Sequence, residues 1–174
     1  MRSRFVNAVL LTWILLVTTG CGFSLRGSDT LSGNLPRLQL YLQEPGGEMA
    51  RLLREALEGA NVAIQEIEPD TLDSSVPVLV VGAEQMRSRP ITVTPRARAA
   101  QYDIRLVLPV QLLLGENRLL GPEDLSIQQV YYENTGNITG TIEEREIIQS
   151  ELRRELVNQL LRRLEAAAAG NIVS

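Results

Sequence analysis

Four arginines, Arg87, Arg89, Arg96 and Arg98, fall within the run RSRPITVTPRARAAQY of a chain whose net charge is −4. A guanidinium is a planar fork of N–H donors that matches phosphate and carboxylate oxygens. In an extended chain alternate residues share a side, so Arg87 pairs with Arg89 and Arg96 with Arg98, each pair presenting two cations together. Pro90 and Pro95 keep the stretch from being an ordinary interior strand pair. Two readings stand. The cluster is either a dock for an anionic lipid or a partner surface, or a solvated hairpin whose arginines pair with acids such as Glu84 and Asp103. Exposed ion pairs of the second kind contribute about 0–1 kcal/mol each.

Other chemistry is thinly provided. All 17 basic residues are arginine, there is no histidine, and Cys21 is the one cysteine. That removes the usual proton shuttle near neutral pH, the Ser–His pair and the ordinary zinc ligand set. A pair of carboxylates could still do acid–base work. However, no spacing among the 21 Asp and Glu singles out such a pair. No catalytic residue and no metal ligand is assigned, and the chain reads as a non-enzyme.

Cys21 follows a distinctive stretch. Arg2 and Arg4 precede the apolar run FVNAVLLTWILLV, and Thr18, Thr19 and Gly20 then lead into the cysteine. About 13 helical residues reach only ~20 Å, short of the ~30 Å hydrocarbon core, so the run is a signal-peptide core rather than a membrane span. The ending resembles a bacterial lipobox, although Thr18 stands where that pattern prefers Leu. The alternative is a lone buried cysteine in a leader. The lipobox reading makes residues 1–20 a signal peptide and Cys21 a lipidated N-terminus carrying diacylglyceryl and N-acyl chains, with no other cofactor. Two or three chains anchor durably where one does not. Gly22, in place of the Asp that the bacterial sorting rule links to inner-membrane retention, points to the outer membrane.

Without residues 1–20 the chain keeps 154 residues and 15 arginines against 21 acids. That is enough for one domain, and the acidic balance argues against nucleic-acid binding, as does the scarcity of aromatics.

The arginines need a scaffold, and the hydrophobic periodicity describes one. Residues 21–34 are rich in Gly and Ser and read as a lipidated flexible tether. Leu38, Leu40 and Leu42 alternate as in a half-buried strand. Met49, Leu53, Ala56, Leu57 and Ala60 mark one face of an amphipathic helix that ends near Gly59 and Asn61. Residues 62–68 suggest a short strand. VPVLVVGAEQM running into RSRPITV, YDIRLVLPVQLLL and LSIQQVYYE are extended, with Tyr102, Ile104, Leu106, Leu108, Val110, Leu112 and Leu114 alternating in the second. Pro109 there implies a sheet edge or a bulge. GENRLLGPED reads as turn material, as does NTGNITG, whose Asn137 forms a glycosylation sequon of little specificity. Thr141 and Glu144 suggest a capping box opening a last helix, with Ile148, Leu152, Leu156, Leu160 and Leu164 in one row. Arg153 and Arg163 intrude on the edges of that row. The expected fold is an α/β (α+β) sandwich over 35–169, with a tail at 170–174. Two helices pack on one face of a mixed, mostly antiparallel sheet of about four strands.

CGFSLRG directly after the lipobox resembles the opening of the LptE family of LPS-assembly lipoproteins, also called RlpB. The strand LQLYL, the Leu- and Arg-rich helix, Ala100-Gln101-Tyr102 leading into the long strand and QLLRRL near the end fit the same pattern. The resemblance implies two helices on a sheet of about four strands, and no enzymatic chemistry. It implies a plug, in an expected 1:1 heterodimer, inside the outer-membrane barrel LptD, which it helps to fold and to pass lipopolysaccharide to the cell surface. It further implies lipopolysaccharide binding through basic residues, carried over here to Arg96 and Arg98 first and to Arg87 and Arg89 second. Family lysines have no counterpart in this chain. The alternatives are a periplasm-facing lipoprotein scaffold or binding module without a barrel partner, and a lipid-anchored hydrolase using carboxylates.

Overall fold

The computed structural model describes residues 28–68, 71, 73–93, 99–132 and 138–170. Cys21, Arg96, Arg98, Asn137 and the tail 171–174 lie outside the described residues. The chain runs through helix α1 (Ser28–Asn34), strand β1 (Arg37–Leu42), helix α2 (Glu48–Gly59) and strands β2 (Ala63–Glu66), β3 (Val78–Val81) and β4 (Gln85–Val93). Strands β5 (Ala99–Leu114) and β6 (Asn117–Tyr132) and helix α3 (Ile138–Gly170) follow.

β5 is the spine of the sheet. β6 pairs antiparallel along one of its edges; along the other, β3 pairs with residues 110–113 and β4 with residues 99–107. β1 lies beyond β3 and β2 beyond β1, both in parallel register. The sheet is therefore mixed, as expected, with six strands among the described residues rather than about four. The difference arises because residues 63–66 add a short edge and the extended run 78–93 is divided in two. The division falls opposite Pro109, which lacks an N–H. Gly82 N–H donates to Pro109 O at 2.9 Å, and a Cβ on Gly82 would lie 3.0 Å from Pro109 Cβ. Pro109 thus interrupts a ladder inside the sheet rather than marking an edge.

Alternation places the even residues of β5 inward. Ile104, Leu106, Leu108, Val110 and Leu112 are buried with Leu38, Leu40, Leu79 and Val81, beneath Met49, Leu53 and Leu57 of α2 and Leu152, Leu156, Leu160 and Leu164 of α3. Both longer helices cover this one face. α2 ends as its pattern indicates, at Gly59, with Asn61 at φ 57°. Arg153, at the edge of the buried row of α3, donates to Glu84 through Nε and Nη2 and to Glu48 through Nη1, all at 2.8–3.0 Å. Its guanidinium pKa is raised, chiefly by the Glu84 hydrogen bonds. This cluster ties α3 to the start of α2 and to the break between β3 and β4.

Three local expectations are corrected. The Gly- and Ser-rich run 21–34 is not a tether throughout: residues 28–34 form α1, and Leu31 is buried with Leu35 against the core. A single leucine among small polar residues carries no period. GENRLLGPED is not a loop: only Gly115 and Glu116 turn, and β6 begins at Asn117. Gly121, at φ +67°, lets β6 pass through an irregularity opposite Val110–Leu112; a Cβ there would sit 2.6 Å from Val110 O. Finally, α3 starts at Ile138, so Thr141 lies within the helix and does not cap it.

The opposite face of the sheet is partly covered. Gln39 is buried there, and its Oε1 accepts from the N–H of Asp73, in the connection between β2 and β3, at 3.1 Å. Towards the β4–β5 connection the helix-free face is open.

Candidate functional site

Register decides what the open face presents. Gln85 stands beside Val107 and Ser126, Arg87 beside Arg105 and Gln128, and Arg89 beside Asp103 and Val130. All share the parity opposite to the core residues. Arg87, Arg89 and Arg105 are exposed and, with Ser88 and Asp103, line a cavity of about 520 Å³.

Arg87 and Arg105 are direct cross-strand neighbours, where Cβ atoms stand about 5 Å apart and like charges destabilise the pair. Neither has a carboxylate within 4 Å among the described residues. Arg105 Nη2 donates to Ser126 Oγ at 3.2 Å, and Arg87 Nη2 reaches Gln85 Oε1 at 3.5 Å. Arg89 differs, because its Nε donates to Asp103 Oδ2 at 3.0 Å. Asp103 is buried at 6 % exposure, and its Oδ1 has no partner among the described residues. Three guanidiniums and one carboxylate leave two positive charges facing a concave surface. Chemically, such an arrangement can accept an anion with oxygens on several sides.

Of the arginines singled out in the sequence, Arg87 and Arg89 meet on this face, and Arg96 and Arg98 are outside the described residues. Among the described residues, the expected pairing of the cluster with acids holds for Arg89 and Asp103 only, since Glu84 is taken by Arg153. Arg105 was not singled out. It sits at an odd position of the strand whose even positions carry the apolar pattern, and its place beside Arg87 comes from long-range pairing.

The same end of the molecule carries aromatic and apolar groups. Tyr102 and Tyr131 stack at 5.3 Å on the helix side, and Arg145 of α3 donates to Tyr131 Oη at 3.0 Å with its guanidinium 5.6 Å from the ring centre. Ile91, Val130 and Tyr132 are exposed at the ends of β4 and β6, and Ile142 and Ile147 on the first turns of α3. Exposed large apolar side chains grouped at one end are candidates for a contact surface.

Comparison with known proteins bears on what that is. The family model described as LptE, lipopolysaccharide-assembly, matches residues 38–164. The LPS-assembly lipoproteins LptE of Yersinia pestis (strain Pestoides F) and Yersinia pseudotuberculosis serotype O:1b (strain IP 31758) are each 27% identical over 172 residues. The alignment covers 99% of this chain and 81% of each of theirs. The crystal structure of rare lipoprotein B from Shewanella oneidensis superimposes with a TM-score of 0.68 at 22% identity, covering 79% of this chain and 99% of that one. The solution structure of a lipoprotein B from Nitrosomonas europaea gives a TM-score of 0.61 at 14% identity, covering 85% and 93%. These two likenesses concern the fold: helices packed on one mixed sheet. The family match spans α2, most of α3 and strands β2–β6, and the chain belongs to the LptE family of lipopolysaccharide-assembly lipoproteins.

Proposed function

We propose that the chain is a non-catalytic outer-membrane lipoprotein that seats in the lipopolysaccharide-translocating barrel LptD as a 1:1 plug and assembly partner. It binds lipopolysaccharide there, and Cys21 carries its lipid anchor on the periplasmic side of the outer membrane. The observation that supports lipopolysaccharide as ligand is the open row of Arg87 and Arg105, flanked by Arg89. Like charges placed side by side on a solvent-facing sheet are favourable once an anion lies between them, and a phosphate accepts from several guanidiniums at once. By the family resemblance, Arg96 and Arg98, between these strands in sequence, are further candidates to bind the ligand of that row. The exposed Ile91, Val130 and Tyr132 adjoin it, which suits an amphiphile or a barrel wall better than a small soluble anion.

The test is recovery of partners from detergent-solubilised outer membranes with the tagged, full-length chain. A barrel protein in near-equal amount, with lipopolysaccharide, is the expected result; recovery of the chain without a barrel protein would reject the plug.

A further inference from the structure

Asp103 is an odd residue to find beneath an anion-binding face. Its carboxylate lies among Arg87, Arg89 and Arg105 in the same cavity, where it lowers the positive potential available to a phosphate. A counter-ion for Arg89 would use both oxygens, because the guanidinium fork and the carboxylate match bidentately. Here only Oδ2 is engaged, by Arg89 Nε at 3.0 Å. Oδ1 is buried and without a partner among the described residues. A buried, unsatisfied carboxylate oxygen is costly, and one kept in a native fold calls for a partner, whether water, ion or ligand. Asp103 lines the same cavity as the arginines, and Arg89, whose side chain is 76 % exposed, can move without disturbing the core.

We propose that Asp103 makes this face selective for a phosphate flanked by a hydrogen-bond donor, a hydroxyl or an ammonium, which Asp103 Oδ1 accepts while the arginines hold the phosphate oxygens. The inference rests on the anion-binding reading of the face and assigns the chemistry of the group beside the phosphate. Charge supports it. Three guanidiniums and one carboxylate leave a balance of two positive charges, which a phosphate monoester neutralises at neutral pH. An ammonium entering that site would be repelled by the arginines unless a carboxylate received it.

The test uses matched pairs of small ligands on the full-length lipidated chain in detergent micelles, with binding followed by NMR shifts of the Ser126 and Gln128 amides. O-phosphoethanolamine is compared with ethyl phosphate, and glycerol 3-phosphate with propyl phosphate. The natural chain should bind the donor-bearing member of each pair at least about fivefold more tightly. In Asp103→Asn, ethyl phosphate should bind more tightly than before, because a negative charge is gone, and the preference for phosphoethanolamine should vanish or reverse. A preference under about twofold in the natural chain overturns the proposal, and this arm stands even if the variant fails to fold. So does a preference that survives in Asp103→Asn. Arg105→Gln separates the two levels. If it leaves binding of every ligand unchanged, phosphate binds elsewhere and the reading of the face falls with the proposal. If it weakens all four ligands while no donor preference exists, the face stands and the role of Asp103 falls alone.

Discussion

Arg87 and Arg105 face each other across β4 and β5 with no carboxylate within 4 Å of either among the described residues, whereas Arg89 and Arg153 are both partnered. That contrast separates binding from structure at the level of single residues. Substituting Glu at both 87 and 105 replaces two donors with repelling carboxylates on an exposed surface. Affinity for lipopolysaccharide should fall at least tenfold, while the circular dichroism spectrum and melting temperature stay within error; unchanged affinity in a titration of the purified protein would remove these residues from the site. Arg153 behaves oppositely. Its side chain is 17 % exposed, and Glu84 is 15 % exposed beneath it. Arg153→Ala would leave a largely buried carboxylate unpaired, at a cost of about 2 kcal/mol, less than a fully buried pair would lose. Denaturant titration should show that loss, and lipopolysaccharide affinity measured well below the unfolding midpoint should not change. At this scale the sequence was a fair guide. Arginines 87 and 89 could be placed on one side of a strand by parity alone. Arg105 could not be grouped with them, because the pairing of residues 85–93 with 99–107 has to be known first.

Elements with a single strong period were legible. The even positions of β5 and the i, i+4 row of α3 each face the core as their alternation and spacing require. Failures came where local chemistry hides the period. α1 has one buried leucine in seven residues. The first half of β6 contains Gly121 and Pro122, residues that ordinarily end a strand, yet here they sit within an irregular ladder opposite Val110. The strand survives because glycine alone tolerates the +67° φ and the close approach to Val110 O. Gly121→Ala therefore adds a Cβ where backbone already lies at 2.6 Å, in a conformation that L side chains rarely adopt. A loss of about 2 kcal/mol or more is expected from combined strain and displacement. Thermal melts of the two proteins check it, and an equal melting temperature would mean that β6 relaxes by shifting its register there.

Across the whole molecule, the sheet has two distinct ends. β1 starts at Arg37, directly after α1, and Gln39 is level with Val78 and Leu113 near the β5–β6 turn. The arginine row lies at Arg105, eight residues back along β5, or roughly 26 Å at ~3.3 Å per residue. The apolar end formed by Ile91, Val130 and Tyr132 lies farther still. The core fold and its family were readable from the opening motif and the periodicities; the bipolar arrangement was not, because it depends on strand order. The most direct test places a photo-reactive amino acid at Gln128, exposed beside Arg105, and at Glu58, exposed on α2. After irradiation of living cells, Gln128 should form adducts with lipopolysaccharide and Glu58 should not. Lipopolysaccharide adducts at Glu58 with none at Gln128 would contradict the assignment of the open arginine face as the binding surface.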